Sequence, residues 1–128
     1  MSLKPTILII EDSKAVQAAY AESLQDRAVV LPAYTHQEAI IAFNSNQHID
    51  GIIVDGMVPT ATEGSLAEPV STVGVISFIC KLGFTGPIMA ITASPILQQP
   101  MLEAGATSFH LKDEKGLLAT IRAMIDGL

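Results

Sequence analysis

Basic residues are scarce in this 128-residue chain: 7 Lys and Arg stand against 13 Asp and Glu, a formal charge of −6, and they are scattered along the sequence. Nucleic-acid binding relies on clustered Lys and Arg to release counterions, so a direct nucleic-acid partner is excluded. Cysteine is nearly absent as well. Cys80, inside an apolar stretch, has no partner for an internal disulfide, reads as a small buried hydrophobe and points to a reducing compartment. No apolar run approaches the roughly 18 residues that span a membrane. The N-terminus lacks a charged segment followed by an apolar stretch and a cleavage site. Internal repeats and low-complexity segments are also missing. The expectation from these absences is a cytoplasmic protein with no membrane or nucleic-acid partner.

What is present is core-forming material. Hydrophobic residues make up 49% of the chain and charged residues 16%, far from the composition of chains that stay disordered. The length suits one domain with a real core, taken as residues 4–128. Met1-Ser2-Leu3 carry no evident role, native or expression scar, and are set aside. Strand signals at 5–10, 29–34, 51–55, 87–91 and 107–111 alternate with helical patterns, the signature of βαβ units and a parallel sheet. Five strands and five helices are expected.

Local signals place the elements. Ser13 is a natural N-cap, and Val16, Ala19, Tyr20 and Leu24 recur at the spacing of one helical stripe. Pro32 within Val29–Tyr34 cannot donate to a ladder, which puts that strand at the sheet edge. Thr35-His36-Gln37-Glu38 has the form of a capping box, with Ala39, Ile40 and Phe43 inward. Gly56 to Pro69 lacks periodicity and reads as a long loop giving way to a helix near Val70. Val73, Ile76, Ile79 and Cys80 face inward there, and the helix stops at Gly83. Pro87 opens the fourth strand, which ends at Thr92. Pro95 and Pro100 disfavour a long helix after it, so a short one beginning near Pro100 is expected. Leu117, Leu118, Ile121, Met124 and Ile125 form the closing amphipathic helix.

The runs Ile7–Ile10 and Gly51–Val54 read as strands buried on both faces, and open parallel sheets bind ligands beyond the carboxyl ends of their strands. Those ends carry Glu11 and Asp12, Asp55, Thr92 and Lys112. Three crowded carboxylates repel one another unless a cation neutralises them, and all-oxygen donors suit Mg²⁺, or Mn²⁺ in its place. One carboxylate, Asp55, can then act as a nucleophile toward a phosphoryl group. Lys112 would balance charge on the phosphoryl oxygens and Thr92 would donate a hydroxyl. The expected product is an aspartyl phosphate. The histidines His36, His48 and His110 lack metal-ligand spacing and are assigned no role.

This ordered set resembles the receiver domains of two-component response regulators, the CheY-like domains, over essentially the whole chain. The residues that carry the resemblance are Glu11-Asp12, Asp55 followed by Met57 and Pro59, Thr92-Ala93, the turn Ala104-Gly105-Ala106, and Lys112 with Phe109 three residues before it. It implies a flavodoxin-like, doubly wound (βα)5 fold with strand order 2-1-3-4-5. It implies phosphorylation of Asp55 by a partner phosphohistidine, on a histidine kinase or histidine phosphotransfer protein. It implies Mg²⁺ held by Glu11, Asp12, Asp55 and the main-chain carbonyl of Met57, with Met57, Ala93 and Ser94 flanking the phosphoryl group. Thr92 and Phe109 would be the switch residues that reshape the face of the fourth helix, fifth strand and fifth helix toward an output protein or domain. On this reading the chain is a signalling domain rather than an enzyme.

Departures from the pattern bear on output. Asp113 stands where the family usually has a proline after the lysine, so a shorter reach into the next loop or an N-cap by Asp113 would replace that turn. The loop after Pro59 is longer than usual, and the segment from Thr92 to Gly105 is shorter and carries two prolines. An atypical output surface is expected. Two rivals lack their residues. A haloacid-dehalogenase-like phosphatase would need a second acid at Met57, and a flavodoxin or nucleotide-binding protein would need a phosphate loop where Glu11-Asp12-Ser13 repels phosphate. The alternative within the fold is a pseudo-receiver, a non-phosphorylated interaction module. No stretch remains for a DNA-binding or enzymatic output module, which leaves a stand-alone receiver or a piece of a larger regulator or hybrid histidine kinase.

Overall fold

In a computed structural model that describes residues 3–45, 48–61 and 68–128, the two apolar runs lie side by side at the centre of a parallel sheet. The chain runs β1 (Thr6–Ile10), α1 (Lys14–Leu24), β2 (Val29–Ala33), α2 (His36–Ser45), β3 (Gly51–Asp55), β4 (Met57–Pro59), β5 (Pro69–Ser71), α3 (Val73–Lys81), β6 (Ile88–Thr92), α4 (Gln98–Ala104), β7 (Ser108–Leu111) and α5 (Leu117–Asp126). The five-stranded sheet has the order β2-β1-β3-β6-β7, all parallel. With β4 and β5 set apart, that is the 2-1-3-4-5 order expected of a flavodoxin-like fold.

Alternation along the central strands sorts the core into two layers. Leu8, Ile10, Ile52, Val54 and Ala90 face α2, α3 and α4, packing with Ala39, Ile76, Ile79 and Met101. Ile7, Ile9, Ile53, Met89 and Ile91 face α1 and α5, packing with Leu24, Ile121 and Ile125. Both faces of the sheet are thus covered, which is why these strands read as unbroken apolar runs. Pro32 lies on an edge strand as expected. Val29 N–H and the Ala33 carbonyl make the bonds toward the sheet, so Pro32, at the intervening parity, faces outward and costs the ladder nothing.

Several sequence expectations change. In α1, Ala19 is exposed and the residues buried are Leu24 and the polar Gln17. Leu118 in α5 is 36% exposed rather than inward. The stretch after Asp55 is not loop throughout, since β4 and β5 pair as an antiparallel ribbon with Met57 opposite Ser71 and Pro59 opposite Pro69. The helix follows at Val73, because Val70 belongs to the ribbon. Residues 62–67 of the expected loop lie outside the described residues. Prolines normally argue against strand pairing, but the bond from Thr72 N–H to the Gly56 carbonyl, 2.9 Å, marks Met57–Ser71 as a non-hydrogen-bonded pair. By alternation Pro59–Pro69 is one too, so neither proline needs an N–H there.

The fourth helix begins at Gln98 rather than Pro100, after a 3₁₀ turn over Pro95–Leu97. Pro100 sits in its first turn, where a missing N–H is tolerated. Asp113 does not cap α5. The residue at that position is Gly116, at φ 74°, and the turn after Lys112 is closed by Glu114 N–H on the Leu111 carbonyl at 3.0 Å.

Candidate functional site

The carboxyl ends of β1 and β3 are adjacent in register, Ile10 beside Val54, so the residues that follow meet at one point. Carboxylate oxygens of Glu11, Asp12 and Asp55 lie within 4.8 Å of one another. Glu11 and Asp55 are buried, at 3% and 8% exposure, whereas Asp12 is open to solvent. Lys112 reaches in from the end of β7, its Nζ donating to Glu11 Oε1 and Asp55 Oδ2, each at 2.9 Å. Four of the residues expected from the sequence are therefore brought together, and one ammonium faces three acids.

The turn after β1 is built by its neighbours. Ser13 Oγ accepts Val16 N–H at 3.2 Å and caps α1 as expected, while Ser13 N–H donates to Glu11 Oε2 at 2.9 Å. Gln17 completes it from below, with Nε2 donating to the carbonyls of Ile9 (2.8 Å), Glu11 (3.2 Å) and Ala33 (3.3 Å). The same alternation of apolar and polar positions that hid Gln17 gives no sequence signal for this role, because glutamine on a helix usually points to solvent.

The turn after β3 is different. Met57 N–H donates to Asp55 Oδ1 at 3.3 Å, and Gly56 is required by close approach: a Cβ there would lie 2.7 Å from Leu97 and 2.8 Å from Thr92 Oγ1. Thr92 is buried beside this glycine and accepts Ser94 N–H at 3.2 Å, while Ala93 is exposed. Thr72, absent from the sequence reading, donates its hydroxyl to the Asp55 carbonyl at 2.7 Å. Phe109 lies on β7, half-buried against the layer that holds Ala90 and Met101, and is not part of the acidic cluster. His36, assigned no role, bonds through Nε2 to the Val70 carbonyl at 3.0 Å and helps seat the ribbon.

Crowding shows in the protonation of the acids. Burial, reinforced by Glu11, pushes Asp55 up to about 6 against the pull of Lys112. Asp12 is raised by desolvation and by its contact with Glu11. Burial alone would raise Glu11 too, but the contact with Asp12, the Ser13 N–H and Lys112 hold it below the usual range. Lys112 loses by burial and gains more from Asp55 and Glu11, so it stays firmly protonated. Three carboxylates with one resident cation are short of positive charge, and a set of hard oxygen donors fits a metal ion. Next to the cluster a cavity of about 470 Å³ opens between Asp12, Lys14, Thr35, Glu38 and Pro59. No helix among the described residues is long and apolar enough to cross a membrane.

No protein-family model matches the sequence, and no curated protein does. Solved structures do match in shape. A Francisella response regulator receiver domain superposes with a TM-score of 0.76 at 17% identity, over 97% of this chain and 98% of that one. A CheY-like receiver domain from Methanospirillum hungatei gives 0.77 at 19% identity, over 98% and 96%. A response regulator from Burkholderia pseudomallei, solved with a phosphorylated aspartic acid, a calcium ion and citrate, gives 0.75 at 22% identity, over 95% of this chain and 66% of that one. In strand order, helix placement and extent, this chain has the CheY-like receiver fold of response regulators.

Proposed function

We propose that the chain is a phosphoacceptor receiver domain, taking a phosphoryl group onto Asp55 from a phosphohistidine of a histidine kinase or histidine phosphotransfer protein. The observation that carries this reading is Lys112 Nζ bonded at once to Asp55 and Glu11 at the meeting point of β1, β3 and β7. A carboxylate with its pKa pushed up to about 6 is ionised at neutral pH yet more basic than an ordinary aspartate, which suits a nucleophile. An Asp55 oxygen forms the bond to phosphorus as the bond from phosphorus to the donor nitrogen breaks, and that nitrogen keeps the electron pair. Lys112 stays with the oxygens that carry the charge, and Thr92 is the nearby hydroxyl on β6.

Mg²⁺, or Mn²⁺, would be held by Glu11, Asp12 and Asp55 with the main-chain carbonyl of Met57, and would neutralise charge shared between carboxylates and phosphoryl oxygens. The ribbon supports the last of these donors. In the non-hydrogen-bonded Met57–Ser71 pair, main-chain groups point away from the partner strand. Met57 N–H turns to Asp55 Oδ1, and its carbonyl lies on the same side. Met57, Ala93 and Ser94 flank the acceptor and govern water access to the acyl phosphate. Output runs through Thr92 and Phe109 to the face of α4, β7 and α5; just before and on α4, Ile96 and Leu102 are exposed at 81% and 39%. Such a domain signals rather than catalyses turnover, acts in the cytoplasm and works through an output protein or domain.

Incubation with Mg²⁺ and acetyl phosphate should add one phosphoryl group by intact mass, and Asp55→Asn should abolish the gain. An unmodified wild type that still binds Mg²⁺ would overturn the reading in favour of the pseudo-receiver.

A further inference from the structure

Thr72 is the residue before α3, where a threonine ordinarily caps the helix through its side chain. Here it makes no cap bond. Its side chain is fully buried and donates to the carbonyl of Asp55 at 2.7 Å, while its N–H donates to the carbonyl of Gly56 at 2.9 Å. Ser71 Oγ takes a helix N–H instead, that of Val73 at 3.3 Å. One residue thus grips two successive carbonyls of the turn that carries Asp55.

That turn needs an outside grip. Gly56 is held to glycine by Leu97 and Thr92, and glycine is the residue with the most backbone freedom to lose. Fixing the carbonyls of Asp55 and Gly56 fixes both peptide planes between Asp55 and Met57. It therefore also fixes the Met57 N–H on Asp55 Oδ1. The Met57–Ser71 and Val58–Val70 pairs hold Thr72 in turn.

We propose that Thr72 is a positioning residue for phosphoryl transfer to Asp55, keeping the acceptor carboxylate aimed through its own backbone. This rests on the reading of Asp55 as the phosphoacceptor. A small loss of aim at the reacting atom lowers rate far more than it lowers stability.

The test uses the full chain with Mg²⁺ and acetyl phosphate. An Asp55 oxygen bonds to phosphorus, the bond from phosphorus to the acetate oxygen breaks, and acetate leaves with the electron pair. Rates are followed by intact mass, well below each variant's melting transition. Thr72→Val keeps the shape and removes the hydroxyl, and should slow modification by about tenfold or more. Thr72→Ser keeps the hydroxyl and should stay within about threefold of wild type. If Thr72→Val fails to fold, Thr72→Cys, a weak donor of similar size, replaces it with the same expected slowing. A folded Thr72→Val at the wild-type rate, or a Thr72→Ser as slow as Thr72→Val, overturns the role of Thr72 alone. A wild type that takes no phosphoryl group overturns both this role and the reading on which it rests.

Discussion

β1 and β3 both end in acids, yet their turns are secured in opposite ways. After β1, Glu11 is held mostly by near neighbours, with Ser13 N–H on its carboxylate and Gln17 Nε2 on its carbonyl, while its N–H reaches the Ala33 carbonyl of β2. After β3, the backbone of Asp55 is held by Thr72, 17 positions on and across a ribbon. The first turn is a strand-to-helix junction that caps itself. The second is a glycine turn with little strength of its own, braced by a returning strand. The acids after β1 sit on a turn braced mostly by the helix it opens, whereas the aim of Asp55 depends on a contact 17 positions away.

Three changes would break or sharpen this contrast. Gly56→Ala should have the largest effect, destabilising by about 3 kcal/mol through overpacking against Leu97 and Thr92, read by chemical denaturation. A loss under about 1 kcal/mol would show that the β3 turn has slack.

Asp55→Asn should come next, in its pH dependence without divalent metal. The folded pKa of Asp55, about 6, lies above the ordinary value of 3.8. Its contribution therefore worsens as pH rises through that window and is absent below it. The variant should gain about 2 kcal/mol on wild type between pH 4 and pH 7, by the usual conversion of a pKa shift. Melting curves across pH check this, and a constant offset would refute the raised pKa of Asp55.

The smallest effect is expected for Gln17→Leu, a loss of about 1–2 kcal/mol from unpaired buried carbonyls, with weaker Mg²⁺ binding by titration. Unchanged Mg²⁺ affinity would separate Gln17 from the acidic turn.

What the sequence made legible follows the same division. Apolar runs, caps and strand-end acids are written in consecutive residues. The Ser13 cap, the Thr35 side of the capping box, whose Oγ1 accepts Glu38 N–H at 3.0 Å, and the meeting of Glu11, Asp12, Asp55 and Lys112 were all within reach, and the sheet order followed from the family resemblance. Gln17 was not, because its polar side chain is buried only by the convergence of three carbonyls from two strands. The ribbon was not, because its strands are three residues each and carry prolines at the end of β4 and the start of β5. Thr72 inherited that difficulty, since its partner lies across the unread ribbon. Pro95 and Pro100 hid the start of α4 for a related reason: proline rules describe helix interiors, and both fall in opening turns.

The outward parity of Pro32 has a consequence for how this molecule behaves in a crowd. An open sheet edge is a template for another chain, with unpaired N–H groups ready to recruit a strand. Along the outer rim of β2 those donors are Val30, position 32 and Tyr34. Proline has none to give at position 32, and Glu38 has already claimed that of Tyr34. Only Val30 remains in that row. A stray β-strand from a neighbour or an unfolded chain would find one N–H donor where it needs a series. The rim is in this way protected against fibril-like stacking and domain exchange, by the same proline that marks β2 as an edge strand.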